Sequence, residues 1–209
     1  MDSPPVAPDI AQVLKHNRTL LRRHMAARLA LAAGLFAVPF VAHWGGYDAA
    51  LPAFGVPAGM FVLIFLSLRL GRGSRLKVCE KVLRTYPLEY RTRVAKKGSE
   101  WKYMGDVHTV RLTVRGQHGA PSLRAVNAST VRRWPKRAEE GCAWFAGDAA
   151  FGGVMIVPES QDMLFVQPAD WEKYAQERAQ AGPQRRELAE QAGISRLLEL
   201  KEPRGMVLG

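Results

Sequence analysis

The chain contains two long stretches without charged side chains, each flanked by basic residues. With His43 neutral, the first stretch lies between Arg28 and Asp48 and the second between Asp48 and Arg69, and each is about 20 residues long. At about 1.5 Å of rise per residue, helices of that length match the ~30 Å hydrocarbon layer of a bilayer. The pattern therefore predicts a transmembrane helical hairpin over residues 26–70, with spans of about 28–47 and 49–69.

Two other interpretations of these stretches are less consistent with the residues. A helical hairpin of a soluble protein keeps polar residues at helical period on its outer face, whereas the run FVLIFL at 61–66 is apolar on all sides. A cleaved signal peptide has a short apolar core followed by small residues. Here about 28 residues precede the core, and Phe40 occupies a position where a small residue is required, so we expect no cleavage.

Small residues recur every four positions in both predicted spans. Ala30 and Gly34 do so in the first span, and Gly55 and Gly59 do so in the second. Such faces let helix backbones approach closely in lipid. We predict helix packing at these four positions, within the hairpin or between two copies of the chain, although Ala and Gly are also simply common here.

Basic segments flank the hairpin on both sides. The first 28 residues carry five Lys or Arg against two acids, and residues 69–84 carry six against one, out of a total net charge of +11. We predict an amphipathic basic helix within 1–25, lying on the inner membrane surface or packed on the soluble domain, and a juxtamembrane helix over 71–86. Because Lys and Arg concentrate at cytoplasmic span ends, we predict a two-span plasma-membrane protein with both termini in the cytoplasm.

The hydrophobic period changes to two residues after Pro87. Alternation over 88–94 indicates a half-exposed strand, and turn-forming residues separate five further strand candidates at 107–115, 122–128, 142–146, 153–157 and 163–167. Short strands without long helical connections predict a small antiparallel all-β domain, barrel-like or sandwich-like, over 87–168. Helices are predicted at 171–181 and 184–200 within a C-terminal region of 169–209. The predicted fold is a membrane α-helical hairpin joined to this cytosolic β domain and its C-terminal helices.

The run WFAGDAAFGGVMIVP at 144–158 is the most distinctive part of the β domain. One interpretation makes Trp144, Phe145, Asp148 and Phe151 a partner-binding loop beside an aromatic platform. The other is a β-hairpin in which the glycines permit the turn and the aromatic side chains belong to the core.

A basic cluster follows the third strand candidate. Arg132, Arg133, Lys136 and Arg137 surround Trp134. Cations interleaved with aromatic rings suit nucleic acid, because rings stack on bases and cations hold phosphates. A basic face also suits the anionic inner leaflet. We predict contact with anionic lipid or nucleic acid here and favour lipid.

Catalytic patterns are weak throughout the chain. Cys79 and Cys142 do not form a C-x-x-C pair, and His108 and His118 have no clear third ligand. The glycines of 144–158 match neither a dinucleotide fingerprint nor a P-loop. We expect no catalytic residue, no metal site and no cofactor, and we favour a protein that is not an enzyme.

The run WFAGDAAFGGVMIVPESQDMLFVQPADW at 144–171, together with the abundance of Ala and Gly and an Arg content more than twice that of Lys, resembles uncharacterised two-span integral membrane proteins of high-GC actinobacteria. The resemblance covers the hairpin and the β domain and implies no activity for any residue. We expect a membrane-anchored adaptor or accessory subunit that presents its β domain to a protein partner or to a second copy. The alternative is a tethered domain that binds anionic lipid or nucleic acid, and a hydrolase comes third.

Overall fold

The computed structural model describes residues 6–46, 54–67, 71–102, 105–113, 121–129, 134–135, 138 and 142–197. Helices α1 (Ile10–Trp44), α2 (Gly55–Ser67) and α3 (Gly71–Thr85) precede the sheet, and α4 (Ala175–Gln180) and α5 (Pro183–Ala192) follow it. The strands are β1 (Glu89–Arg91), β2 (Arg93–Lys102), β3 (Gly105–Thr113), β4 (Ser122–Asn127), β5 (Ala143–Asp148), β6 (Gly152–Ile156) and β7 (Met163–Pro168). A 3-10 helix, Glu172–Tyr174, leads into α4.

Helix α1 is one continuous element that contains the predicted basic helix from Ile10 onward and the predicted first span as far as Trp44. Its N-cap is Asp9, whose carboxylate accepts a hydrogen bond from the amide of Ala11. The helix continues through Pro39 and has 35 residues, which corresponds to about 52 Å. The basic segment therefore does not turn away from the span to lie separately on a membrane surface. It packs on the β domain, which was the alternative prediction.

The second half of α1 exposes apolar side chains. Only 6% of its most apolar stretch of 18 residues is buried, and large side chains such as Leu31, Phe40 and Val41 are exposed. Among the described residues, α1 is the one helix long and apolar enough to cross a membrane.

Helix α2 packs along this apolar half of α1 and also exposes large apolar side chains, including Phe61 and Ile64. It has 13 residues, or about 20 Å, so the described helix is shorter than the predicted second span of 49–69. Residues 47–53 and 68–70 of the predicted hairpin lie outside the described residues.

The seven strands form one antiparallel sheet in the order β1-β5-β6-β7-β4-β3-β2. Its first and last strands, β1 and β2, are separated in the chain by Thr92 alone, so the sheet curls back toward itself as a half-barrel. Side chains from both ends of the sheet order, including Val94 of β2 and Phe145 of β5, share one buried cluster inside the curl. The predicted small antiparallel β domain is confirmed, as a half-barrel.

The three strands β5, β6 and β7 are apolar on both faces because both faces are covered. Along β6, Met155 points into the half-barrel interior, whereas Val154 and Ile156 pack against α1, α3 and the C-terminal segment. Strands buried on both sides show continuous apolar runs instead of alternation. This explains the apolar run at 144–158.

Two sequence predictions about element boundaries were wrong. The first strand was predicted to end at residue 94, but β2 continues to Lys102 through a β-bulge between Lys96 and Gly98, so the hairpin with β3 is longer than expected. The predicted helix at 184–200 ends at Ala192, because Gly193 adopts a left-handed conformation with φ 73° and caps α5.

Gly153 provides a test of the close packing between β5 and β6. A Cβ atom at this position would overlap the carbonyl oxygen of Ala146, whereas one at Gly98 would meet no atom within 4 Å. We expect Gly153→Ala to lower the free energy of unfolding by about 1–3 kcal/mol or more, because a central strand pair must separate. Gly98→Ala is the matched control and should change it little. Thermal denaturation of the detergent-solubilised variants measures both, and equal melting temperatures would contradict the described register.

Candidate functional site

The aromatic residues predicted to bind a partner lie inside the domain. Trp144 packs on the helix-covered face of β5, with its ring 5.4 Å from that of Tyr90. Phe145 faces the half-barrel interior, and the guanidinium of Arg91 lies 5.2 Å from its ring centroid. Phe151 is buried in the turn that follows β5. The structure thus has the β-hairpin with core aromatics and not a surface platform, because β5 is covered on both faces.

Asp148 anchors the C-terminal helix. Its carboxylate receives two hydrogen bonds from Arg185 of α5, Nε to Oδ2 at 2.7 Å and Nη2 to Oδ1 at 3.0 Å, and one from the amide of Ala150 at 2.9 Å. Gly147 and Gly152 beside it have backbone φ angles of 138° and 113°, which residues other than glycine rarely adopt. Asp148 and the glycines therefore build a turn and hold α5 against it.

Trp134 is the described member of the predicted basic cluster. Its ring contacts that of His108 edge-on at 5.0 Å, lies 5.6 Å from Nζ of Lys96, and packs against the half-barrel interior. The ring is therefore partly buried in these contacts and does not stand free for stacking on a base. Arg132, Arg133, Lys136 and Arg137 lie outside the described residues.

The predicted helix-packing residues divide into two pairs. A Cβ atom at Gly55 would lie 2.5 Å from the carbonyl oxygen of Leu35, and one at Gly59 would lie 3.0 Å from the ring of Phe36. These two glycines therefore permit α2 to approach α1 closely. Ala30 and Gly34 are on an exposed face of α1, so contact between copies of the chain through them stays a prediction.

The first three turns of α1 belong to the core of the β domain. Val13 and Leu14 pack in the cluster on the helix-covered face of the sheet, and Asn17 is fully buried beside them. The Asn17 amide nitrogen donates to the carbonyl oxygens of Val13 (2.9 Å) and Gln161 (2.8 Å), and its oxygen accepts from the amide of Met163 at 3.4 Å. This buried amide ties the helix to the turn between β6 and β7.

An ion-pair network links α1 to α3 next to this contact. The Glu80 carboxylate accepts hydrogen bonds from Arg18 of α1 and, at 2.7 Å, from Arg84 one turn further along α3. The hydrogen bond from Arg18 is the main reason that the pKa of Glu80 lies below its ordinary value. The first turns of α1 and helix α3, which flank the apolar hairpin, are thus joined to each other as well as to the sheet.

Helix α3 packs through Cys79, Val82 and Leu83, which belong to the same cluster as Val13 and Leu14. Burial raises the pKa of the Cys79 thiol to about 12, so the sulfur is protonated and shielded at neutral pH. A thiol of this kind is unreactive. Cys79 is therefore a core residue.

The outer face of β2, β3 and β4 carries an arginine row that sequence reasoning missed. Arg93, Arg111 and Arg124 are exposed, while their neighbours along each strand point into the half-barrel. Arg93 pairs with Thr113 while Ala95 pairs with Arg111, and Arg111 pairs with Ser122 while Thr109 pairs with Arg124. Each arginine is thus a diagonal neighbour of the next, at about 7–8 Å between Cα atoms.

This row lacks neutralising partners among the residues that the structure describes. Arg111 donates from Nε to the hydroxyl of Ser122 at 3.1 Å, and none of the three guanidinium groups has a carboxylate partner. Away from the bulge at Lys97, the other outward positions of these strands whose side chains are described carry no charge, namely Ala95, Val107, Thr109, Thr113, Ser122 and Val126. Like charges on one sheet face are mildly destabilising, and an anionic partner removes that cost.

The signal for this row is present in the sequence but incomplete. Arg111 and Arg124 each sit between apolar residues, at the outward positions of an alternating pattern. Alternation places each arginine on the outer face but does not fix which strands are neighbours or in which register.

Within the described part of the chain, no three His, Cys, Asp or Glu side chains come together in a way that could hold a metal ion. Comparison with protein family models, with curated protein sequences and with solved structures finds no match to this chain. The resemblance to actinobacterial membrane proteins therefore stays a prediction.

The Arg18–Glu80 contact predicts a pH dependence of stability. Because the folded-state pKa of Glu80 is below its ordinary 4.5, the ionised carboxylate stabilises the fold at neutral pH, and this contribution is lost as the pH falls through the folded-state pKa. We expect Glu80→Gln to lower the melting temperature at pH 7, and we expect this difference from the wild type to shrink as the pH falls below 4.5 and through the folded-state pKa. A melting-temperature difference that stays constant across this range would contradict a role for the carboxylate charge.

Proposed function

We propose that this protein is a membrane-anchored adaptor. A two-span hairpin holds the half-barrel at the cytoplasmic face of the plasma membrane, and the arginine row on β2, β3 and β4 receives an acidic segment of a protein partner. The observation that carries the proposal is the continuity of α1, whose apolar half is exposed while its first turns lie in the domain core.

Retention of α1 in the mature protein is supported by what its removal would expose. Val13 and Asn17 are fully buried, and Asn17 satisfies the backbone of Gln161 and Met163. Cleavage after the apolar segment would strip the sheet of this cover, exposing the apolar cluster around Val13 to water and removing the hydrogen bonds from Asn17 to Gln161 and Met163. An anchor that is also part of the core fits these contacts better than a signal peptide does.

The proposed orientation rests on which end of the hairpin is charged. The start of α1 and the end of α3 pack in the same cluster, so both ends of the hairpin lie on the side of the half-barrel. Residues 10–28 and 71–84 on that side are strongly basic, which favours the cytoplasm. The hairpin tip between α1 and α2 would then reach the outer surface.

An acidic protein segment suits the arginine row better than nucleic acid does. Guanidinium groups bind carboxylates in a bidentate manner, and three of them in a line fit an extended acidic peptide. Single-stranded nucleic acid is held by aromatic rings as well as by cations. The described outward-facing positions of this face carry no aromatic side chain, and the Trp134 ring packs against the half-barrel.

Cysteine labelling tests the two-span topology. Gly45 is exposed at the end of α1 with φ −80°, so Gly45→Cys fits the backbone, and Cys142→Ser removes the less buried native thiol. We expect a membrane-impermeant maleimide to label Gly45→Cys in intact cells, and to label the exposed domain position Lys97→Cys only after the membrane is opened. Labelling of both or of neither in intact cells would contradict the topology.

Charge reversal tests the docking surface. We expect Arg111→Glu to reduce recovery of crosslinked protein partners by about tenfold, or ~1.4 kcal/mol, when the full-length protein is purified from its native membrane. Lys173→Glu is the matched control, because it reverses an exposed charge on the 3-10 helix, and it should recover the partners at wild-type levels. Equal recovery with both variants would rule out this face, and nuclease-sensitive recovery would favour the nucleic-acid alternative.

A further inference from the structure

The C-terminal segment crosses the outer face of the sheet toward the arginine row. Arg185 of α5 binds Asp148 at the end of β5. Further along the chain, the carbonyl oxygen of Arg196 accepts a hydrogen bond from Nε2 of Gln167 on β7 at 3.5 Å. Because β6 lies between β5 and β7, the segment moves across two strand spacings between these contacts. The next strands in this direction are β4 and β3.

Arg124 is the next outward position on the path of this segment. Residues paired across neighbouring strands point to the same face of a sheet. Asp148 is paired with Gly152, a Cβ atom at Gly152 would lie 3.3 Å from Cα of Gln167, and Gln167 is paired with Arg124. Neighbouring strands lie about 4.8 Å apart, so Arg124 is one strand spacing beyond the contact at Gln167.

The segment is fixed on the sheet as far as this contact. Gln167 points outward like Arg124, yet it is only 5% exposed. Ile194, just before Arg196, is fully buried in the cluster on the helix-covered face. The described part of the chain ends at residue 197, directly beside the arginine row.

The residues that follow carry charges complementary to the row. Residues 198–209 lie outside the described residues, and their two acids are Glu199 and Glu202. Carboxylates are the bidentate partners of guanidinium groups. The sequence after the last described residue therefore contains two ligands of the kind that the proposed docking surface would bind.

Both glutamates are within reach of the row. An extended chain covers at most about 3.3–3.6 Å per residue, so Glu199 can lie up to ~10 Å from Arg196 and Glu202 up to ~20 Å from it. Arg124 is one strand spacing from the contact at Gln167, and its diagonal neighbour Arg111 is about 7–8 Å further.

The row lies toward the end of the sheet that is remote from the apolar hairpin. Helix α1 runs toward its apolar half from Asn17, which contacts Gln161 and Met163 at the start of β7. Gln167 is four residues further along β7, or about 13 Å. In the anchored protein a cytoplasmic segment can therefore occupy the row more readily than lipid headgroups can.

We propose that the segment 198–202 binds to the arginine row of its own molecule, with Glu199 beside Arg124 and Glu202 beside Arg111, and competes there with the acidic segment of a protein partner. The competition rests on the proposed adaptor function, whereas the contact does not. An exposed ion pair shifts an equilibrium by no more than about fivefold, but a tethered segment acts at a concentration of about mM. A partner must then bind more tightly than this segment, which excludes weakly acidic proteins.

Paired cysteines in the full-length protein test the contact. Thr109 faces outward and is paired with Arg124, so we place Thr109→Cys with Leu200→Cys in a Cys142→Ser background, in which Cys79 stays buried. We expect a short bismaleimide to join the two introduced thiols within one molecule. Mass spectrometry of the digested protein measures the fraction that is crosslinked.

Charge exchange shows whether ion pairs hold the segment. We expect Arg124→Glu to lower the crosslinked fraction about threefold, and Arg124→Glu combined with Glu199→Arg to restore it, because the pair forms again with its charges exchanged. Glu190→Lys is the matched control, since it reverses an exposed charge on α5 and should leave the fraction unchanged.

Recovery of partners tests the competition. We expect Glu199→Lys combined with Glu202→Lys to raise the recovery of crosslinked partners from the native membrane about threefold, and Glu190→Lys to leave it at the wild-type level. An increase with Glu190→Lys as well would overturn the competition, because it would follow from net charge alone.

Two results would overturn the contact itself. They are a crosslinked fraction that Arg124→Glu leaves unchanged, and a crosslink that joins two copies of the chain instead of two positions in one. Unchanged partner recovery with the double lysine variant, where the wild type does capture partners, would overturn the competition. If no variant recovers a partner while the crosslink follows the charges, the adaptor function is wrong and the contact is supported.

Discussion

The contact between the first turns of α1 and the turn after β6 is the interaction on which the arrangement of the other parts depends. Asn17 is fully buried and exchanges hydrogen bonds with Gln161 and Met163, so a shift of α1 by one residue would leave several buried polar groups unpaired. Apolar contacts such as those of Val13 tolerate sliding, but a buried polar network does not. The amide therefore selects one position of a long helix on the sheet.

The position of α1 on the sheet determines how the half-barrel is oriented relative to the apolar hairpin. The same rigid helix carries the apolar, exposed segment and the buried one, and the Arg18–Glu80 pair attaches the returning helix α3 beside it. Two helices joined to one sheet leave the half-barrel little freedom to rotate about the hairpin axis. In the proposed adaptor, the arginine row would then face a constant direction relative to the bilayer, which matters for a partner that is itself confined to the membrane surface.

Much of the fold follows from local pattern, and the parts that do not follow have identifiable reasons. The strands β4 and β7 were predicted within one residue, because turn-forming residues bound them on both sides. The continuity of α1 was missed because side-chain polarity changes near Arg28, although the residues on both sides are good helix formers. The change from polar to apolar side chains was interpreted as the end of one helix and the start of another, although α1 continues through it.

The exposure and the alignment of the candidate-site residues depend on which strands are neighbours, and the local sequence does not give this. Whether Trp144 and Phe145 are exposed depends on whether β5 is central, and this is known only once β1 and β6 are placed on its two sides. The alignment of Arg93, Arg111 and Arg124 depends on the strand register, which the bulge in β2 shifts.

If the protein is anchored as proposed, the bulge in β2 has a consequence for copies crowded in the membrane. Strand β2 is at one end of the sheet order, and an edge strand is a template for pairing with another chain. Anchored copies share one orientation and diffuse in two dimensions, so their edges meet more often than those of free proteins. Lys96 and Lys97 place positive charge at the bulge, and the bulge in the β2–β3 pairing locally bends and twists this edge strand. Edge-to-edge aggregation between neighbouring copies is thereby discouraged where the anchor would otherwise promote it.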